Sequence, residues 1–146
     1  MADYTVTPNE KALLKEAIYL SPYEKLIRET SGLVSYWRLG ELAGTTISDS
    51  KGSNHGTIND NYTLGQSGSI KEDINKSILF PSSGGYVNIP DHSTLDLSFP
   101  FTIEMWIKPS NQLANVWMLL KGSADDLGNA FYGFNISSHN PCKIFM

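Results

Sequence analysis

The chain has very little cysteine, no long apolar run and no excess of positive charge, and each shortage excludes a class of protein. Cys142 is the only cysteine in 146 residues. An intrachain disulfide is therefore impossible, and so is a thiolate zinc site built from one chain. Cys142 sits in Asn140-Pro141-Cys142-Lys143 with His139 close in sequence, but without a surrounding nucleophile motif it reads as a buried or idle thiol. No stretch of about 18 apolar residues occurs, so no membrane-spanning helix is expected. Eleven Lys and Arg against fifteen Asp and Glu leave a formal charge of −4, which argues against a phosphate-binding stripe and hence against a nucleic-acid partner. Met1 to Lys15 lacks the basic start and apolar centre of a secretory signal, so the expected place of synthesis and assembly is a cytoplasm.

What the chain does contain is aromatic side chains and turn residues. Three Trp, seven Tyr and six Phe are too many for a disordered chain. Twelve Gly and seven Pro, with many Ser, Thr and Asn, punctuate a succession of short strands. The length suits one domain with a core of useful size.

The first thirty residues are written differently from the rest. Thr7-Pro8-Asn9-Glu10 has the form of a capping box. Ala12, Leu13, Ala17, Ile18 and Leu20 follow at spacings that suit one helical face. Ser21-Pro22-Tyr23-Glu24 repeats the start signal and predicts a second short helix carrying Leu26 and Ile27, ended by Ser31-Gly32. Helices of about ten residues are marginal alone and need a surface to pack on. Either residues 1–30 cap the β domain, or they form a docking arm whose apolar residues Leu13, Leu14, Ala17, Ile18, Leu26 and Ile27 bury against a neighbouring subunit.

From Leu33 onward the pattern is strand and turn. Leu33–Leu39 reads as a strand with aromatics at its centre. Lys76–Phe80 and Tyr86–Ile89 read as two arms of a hairpin around Pro81–Gly85. Phe99–Lys108 has the clearest alternation, Phe101, Ile103, Met105 and Ile107 against Thr102, Glu104, Trp106 and Lys108. Val116–Leu120 and Phe131–Ile136 follow as further strands, and Lys143-Ile144-Phe145 begins another. Such a series predicts a mainly β chain folded as a two-sheet sandwich or jelly roll.

The order of several blocks resembles a known family. Leu33-Val34-Ser35-Tyr36-Trp37-Arg38-Leu39-Gly40-Glu41, Gly44-Thr45-Thr46, Asp49–Thr57, Tyr62–Gly68, Ser77-Ile78-Leu79-Phe80, Gly85–Pro90, Leu95-Asp96-Leu97 and Phe101–Pro109 together resemble a laminin-G-like, concanavalin-A-like jelly roll. The likeness runs from residue 33 to about residue 136. It implies a domain over 31–146 that is incomplete at its C-terminus, with an edge left open for association. The lead-in Tyr23-Glu24-Lys25-Leu26-Ile27 before Leu33 resembles the laminin-G-like modules of bacteriophage virion proteins, in tails, fibres, baseplates and head decorations. That implies a non-enzymatic virion component, assembled in the host cytoplasm. It would dock through its N-terminal arm on other virion proteins in a homo-oligomeric or symmetric assembly, and it would stabilise the particle or touch a host-surface glycan. The alternative is a carbohydrate-binding module of a bacterial or extracellular protein.

Four constellations could carry chemistry. In the Asp49–Gly56 loop, Asp49, Ser50, Ser53 and Asn54 offer side-chain oxygens, and the resemblance supports a structural calcium there, with Asp49 and Asn54 as its candidate ligands. Against it stands a loop that closes on its own Asx and Ser turns, since Asp49 is its only carboxylate. Glycoside hydrolysis needs two carboxylates flanking one bond, whereas Glu104 has no acidic neighbour at strand spacing and Asp125-Asp126 reads as a solvated loop pair; no catalytic residues are expected. Tyr36, Trp37, Trp106, Trp117, Tyr132 and Phe134 are either core or in part a sugar-stacking platform. His55, His92 and His139 lie in separate loops without ligand spacing.

Overall fold

The computed structural model describes residue 7 and residues 21–71, 73–81, 84–109, 116–122, 132–136 and 144–145. The chain is mainly β, in small antiparallel sheets. It divides into two compact units, Met1–Leu95 and Asp96–Met146.

The second of the two expected helices is present. Helix α1, Pro22–Glu29, begins where its sequence signals place it: the Ser21 hydroxyl accepts the Glu24 N–H at 3.1 Å, and proline occupies the first turn, where its missing N–H is no loss. Glu24 lies in the first turn and Arg28 in the last, each at the end of the helix dipole that favours its charge. The Thr30 hydroxyl bonds back to the Leu26 carbonyl at 3.0 Å as the helix stops. The other expected helix, with Leu13, Leu14, Ala17 and Ile18, lies outside the described residues.

Among the described residues the first unit contains two sheets. Strands β1 (Thr46–Ile47), β2 (Gly56–Asn59) and β5 (Tyr86–Asn88) form one, in the order β1-β2-β5, with Ile47 opposite Gly56 and Ile58 opposite Val87. Along β2, Gly56 and Ile58 are buried and Thr57 is exposed, the period of two that a half-covered strand requires. Gly56 is demanded by close packing, because a β-carbon there would fall 2.8 Å from Cγ1 of Val87. Strands β3 (Thr63–Ser67) and β4 (Lys76–Leu79) form the other sheet, with a register shift between Thr63 and Gln66. Among the described residues the buried hydrophobic side chains are Ile47, Ile58 and Leu95, the last in a 3-10 turn over Ser93–Leu95. The second unit carries β6 (Val116–Lys121), β7 (Tyr132–Ile136) and β8 (Ile144–Phe145) as one sheet in that order. Strands β4, β6, β7 and β8 fall where the sequence predicts them.

Three expectations about strands are corrected. Leu33–Leu39 is not a ladder strand; it makes one isolated bridge, Trp37 to Asp49. Its polar backbone serves a loop, since the Tyr36 N–H goes to the Asp49 carboxylate and the Tyr36 carbonyl accepts from Ser50 at 2.7 Å. Phe99–Lys108, despite its clean alternation, is in no strand. Tyr86–Asn88 does form a strand, but its partner is β2 and not β4, so the expected hairpin across Pro81–Gly85 does not exist. Alternation records which residues suit a pleated surface; it does not choose the partner.

Candidate functional site

The most highly organised polar site of the first unit is centred on Asp49, in the loop that the sequence singles out. The Asp49 side chain is 5% exposed. Its Oδ1 accepts the backbone N–H of Tyr36 at 2.9 Å and of Lys51 at 2.9 Å, while Oδ2 accepts that of Asn54 at 3.2 Å. The Gly52 N–H and the Ser35 hydroxyl also bond to the carboxylate. Burial by itself would raise the pKa of this carboxyl; the bonds from Gly52, Tyr36, Lys51 and Ser35 outweigh it and lower the pKa to about 2. Glycine is required at 52, where a β-carbon would sit 2.9 Å from Oδ2 of Asp49 and 3.2 Å from the Val34 carbonyl oxygen.

Asn54 extends the same site. It is buried, and its amide nitrogen donates to the Ser35 hydroxyl oxygen at 2.8 Å and to that of Thr94 at 2.9 Å. Its backbone carbonyl accepts from Nε1 of Trp37 at 2.7 Å. The Asp49 N–H donates to Nδ1 of His55 at 3.0 Å, and Nδ1 of His92 lies 2.9 Å from the Thr94 hydroxyl. Three stretches distant in sequence, 35–37, 49–55 and 92–94, are thereby tied together. Beside them Val34, Gly52, Ser53, Asn54 and Thr94 line an open cleft of about 420 Å³.

The arrangement does not fit calcium. A calcium ligand turns its free lone pairs toward one point, whereas the oxygens of Asp49 are turned toward N–H and O–H donors of the protein. The amide oxygen of Asn54, the atom that a calcium ion would need, accepts the Thr94 hydroxyl at 3.2 Å. Among the described residues no group of three or more His, Cys, Asp or Glu side chains is placed to hold a metal ion. Asp49 and Asn54 do come together, as a hydrogen-bonded loop staple.

A second polar cluster has no counterpart in the sequence reading. Glu24 of α1, 1% exposed, is paired with Arg28 at 2.8 Å and with Arg38 at 3.0 Å. Arg38 also lies 3.8 Å from Asp73, which accepts the Ser21 hydroxyl at 2.6 Å. The Glu24–Arg28 spacing is legible in the sequence; Arg38 and Asp73 are brought in only by the fold. Burial raises the Tyr36 phenol above its ordinary pKa, with Arg38 acting in the opposite sense and Glu24 reinforcing it.

The remaining sequence candidates are scattered. Leu26 is 65% exposed and Ile27 is half-buried. Tyr36, Trp37, Tyr132 and Phe134 are half-buried, while Trp106 and Trp117 are exposed. In the second unit the Phe101 ring lies 4.9 Å from Phe99 and 5.1 Å from Tyr132, and Lys121 pairs with Asp96 at 3.2 Å. Glu104 is exposed. His139, Cys142 and Asp125-Asp126 lie outside the described residues. Comparison with family models, with curated proteins and with solved structures finds no match. Among the described residues no helix is long and apolar enough to cross a membrane.

Proposed function

We propose that the chain is a non-enzymatic structural component of a bacteriophage virion, built on a laminin-G-like jelly roll and docked on neighbouring copies or other virion proteins. The observation that supports this reading is apolar surface. In the second unit Phe99 is 84% exposed, Trp106 61%, Ile107 44% and Trp117 41%, with Ile103 and Val116 also exposed. Single exposed hydrophobic residues are ordinary on protein surfaces; six large ones in one small unit support a surface that a neighbour covers. Burying such side chains contributes about 1.5–3 kcal/mol each. Sedimentation velocity of the full chain should therefore show self-association at micromolar concentration, and Trp106→Ser with Trp117→Ser should weaken it. A strictly monomeric chain whose sedimentation is indifferent to both changes would defeat the assembly reading. Deleting residues 1–30 tests the arm separately: particles that still incorporate the truncated chain would rule out docking through it.

The alternative, a carbohydrate-binding module, is favoured by the open cleft at Val34, Ser53, Asn54 and Thr94, whose lining mixes an apolar patch with hydroxyl and amide groups. A glycan array read on monomeric protein separates the two: sugar binding lost on Ser53→Trp supports the module, and silence across the array removes it.

A further inference from the structure

An eight-residue helix does not hold itself together in water, because nucleation costs more than two turns return. Helix α1 is therefore held by what it packs on. None of its apolar side chains is fully buried, since Leu26 is 65% exposed and Tyr23 and Ile27 are half-buried, and the buried residue of the helix is the carboxylate Glu24. Oε1 of Glu24 accepts from Arg28 one turn on, and Oε2 meets Nη2 of Arg38, in the segment before β1. The helix cap adds a second grip, the Ser21 hydroxyl on Oδ2 of Asp73, and Arg28 adds a third by donating to the Ser50 carbonyl at 3.1 Å. All three grips are polar. The charged and titratable groups facing Glu24 are Arg28 on its own helix, and Arg38, Tyr36 and Asp73 from the rest of the first unit.

We propose that α1 is a charge-latched strap: Glu24 and Ser21 clamp it to Arg38 and Asp73, and it leaves as a unit, baring that pair, while the β1-β2-β5 sheet stays folded. Two features set the opening of the strap below the unfolding of the sheet. The hydrophobic core of Ile47, Ile58 and Leu95 includes no residue of the helix. Ion pairs withdrawn from water recover little more than their desolvation cost, and the closed latch leaves Nε of Arg38 buried without a hydrogen-bond partner among the described residues. Local opening of this kind belongs to elements held by few apolar contacts.

Hydrogen exchange read by mass spectrometry on the full chain tests the latch, comparing peptides over 22–30 with those over 56–59 and 86–88. In the wild type the α1 amides should lose protection well before those of β2 and β5. Glu24→Gln keeps the shape but leaves two arginines beside a neutral amide; it should speed exchange in α1 by about a hundredfold or more, with β2 and β5 changing by less than about threefold. Leu26→Ala should leave the difference between helix and sheet as it is. Equal protection of α1 and the sheet in the wild type overturns the proposal. So does joint acceleration of both in Glu24→Gln, failure of that variant to fold, or unaltered exchange of its helix, because each outcome shows either one cooperative unit or a helix not held by charge.

Discussion

Replacing Asp49 by asparagine removes one charge and turns one acceptor oxygen into a donor, in a place where every neighbour is itself a donor. The native carboxylate takes N–H groups from Tyr36, Lys51, Asn54 and Gly52 and the hydroxyl of Ser35. Its pKa falls from 3.8 to about 2, and at about 1.36 kcal/mol per unit the charged form contributes on the order of 2 kcal/mol to folding at neutral pH. The new amide group adds a cost of about 1–3 kcal/mol, because it faces buried N–H donors it cannot satisfy. Asp49→Asn should thus destabilise the first unit by roughly 3–5 kcal/mol at pH 7. The sign of the pH dependence follows from the direction of the shift. The folded pKa lies below the unfolded one, so the contribution is complete above the unfolded value of 3.8 and is lost as pH falls toward the folded value of about 2. Urea denaturation of wild type and variant, measured side by side from about pH 7 down to about pH 3, isolates this one group, since the other carboxylates cancel in the difference. The gap between the two proteins should narrow by about 1 kcal/mol over that range. A gap that stays constant with pH, or one below about 1 kcal/mol at pH 7, would refute the staple as the source of the lowered pKa.

Two further outcomes follow from the same geometry. Millimolar calcium added to chelator-treated protein should leave the thermal midpoint where it was, because the Asp49 oxygens already accept protein donors; a concentration-dependent rise of the kind ligand binding produces would contradict that. Ile58→Ala should cost about 2–5 kcal/mol in chemical denaturation, since Ile58 is 2% exposed in a small core where Ile47 and Leu95 are the other buried hydrophobic residues described. A cost below about 1 kcal/mol would place the core elsewhere.

Helix α1 and strands β4, β6, β7 and β8 were legible because their signals are local: a capping serine, a proline in the first turn, short β-branched and aromatic runs between turn residues. The loop 49–56 could also be picked out in the sequence, since Asp, Ser, Gly and Asn in that density close on themselves. Its chemistry could not. The choice between a calcium ligand and a loop staple depended on whether the N–H groups of Tyr36 and Asn54 point at Asp49, and the first of these lies thirteen residues away. The segments 33–39 and 99–108 were misread for a related reason: each has strand periodicity, but a strand exists only when another chain segment accepts its backbone bonds.

By itself, then, the sequence determined what each short stretch is suited to be. It set the capped helix at Pro22, the turn-forming Asp49–Gly56 loop, the mainly β character and the absence of any apolar run that could span a membrane. Tertiary structure decided the pairings. It put β5 beside β2, joined Glu24 to Arg38 and Asp73, and surrounded Asp49 with donors from Ser35, Tyr36, Lys51, Gly52 and Asn54. The reason is physical: propensity and capping act within a few residues, whereas the partner of a backbone bond, a buried charge or a β-strand is set by which distant segment the fold brings to it.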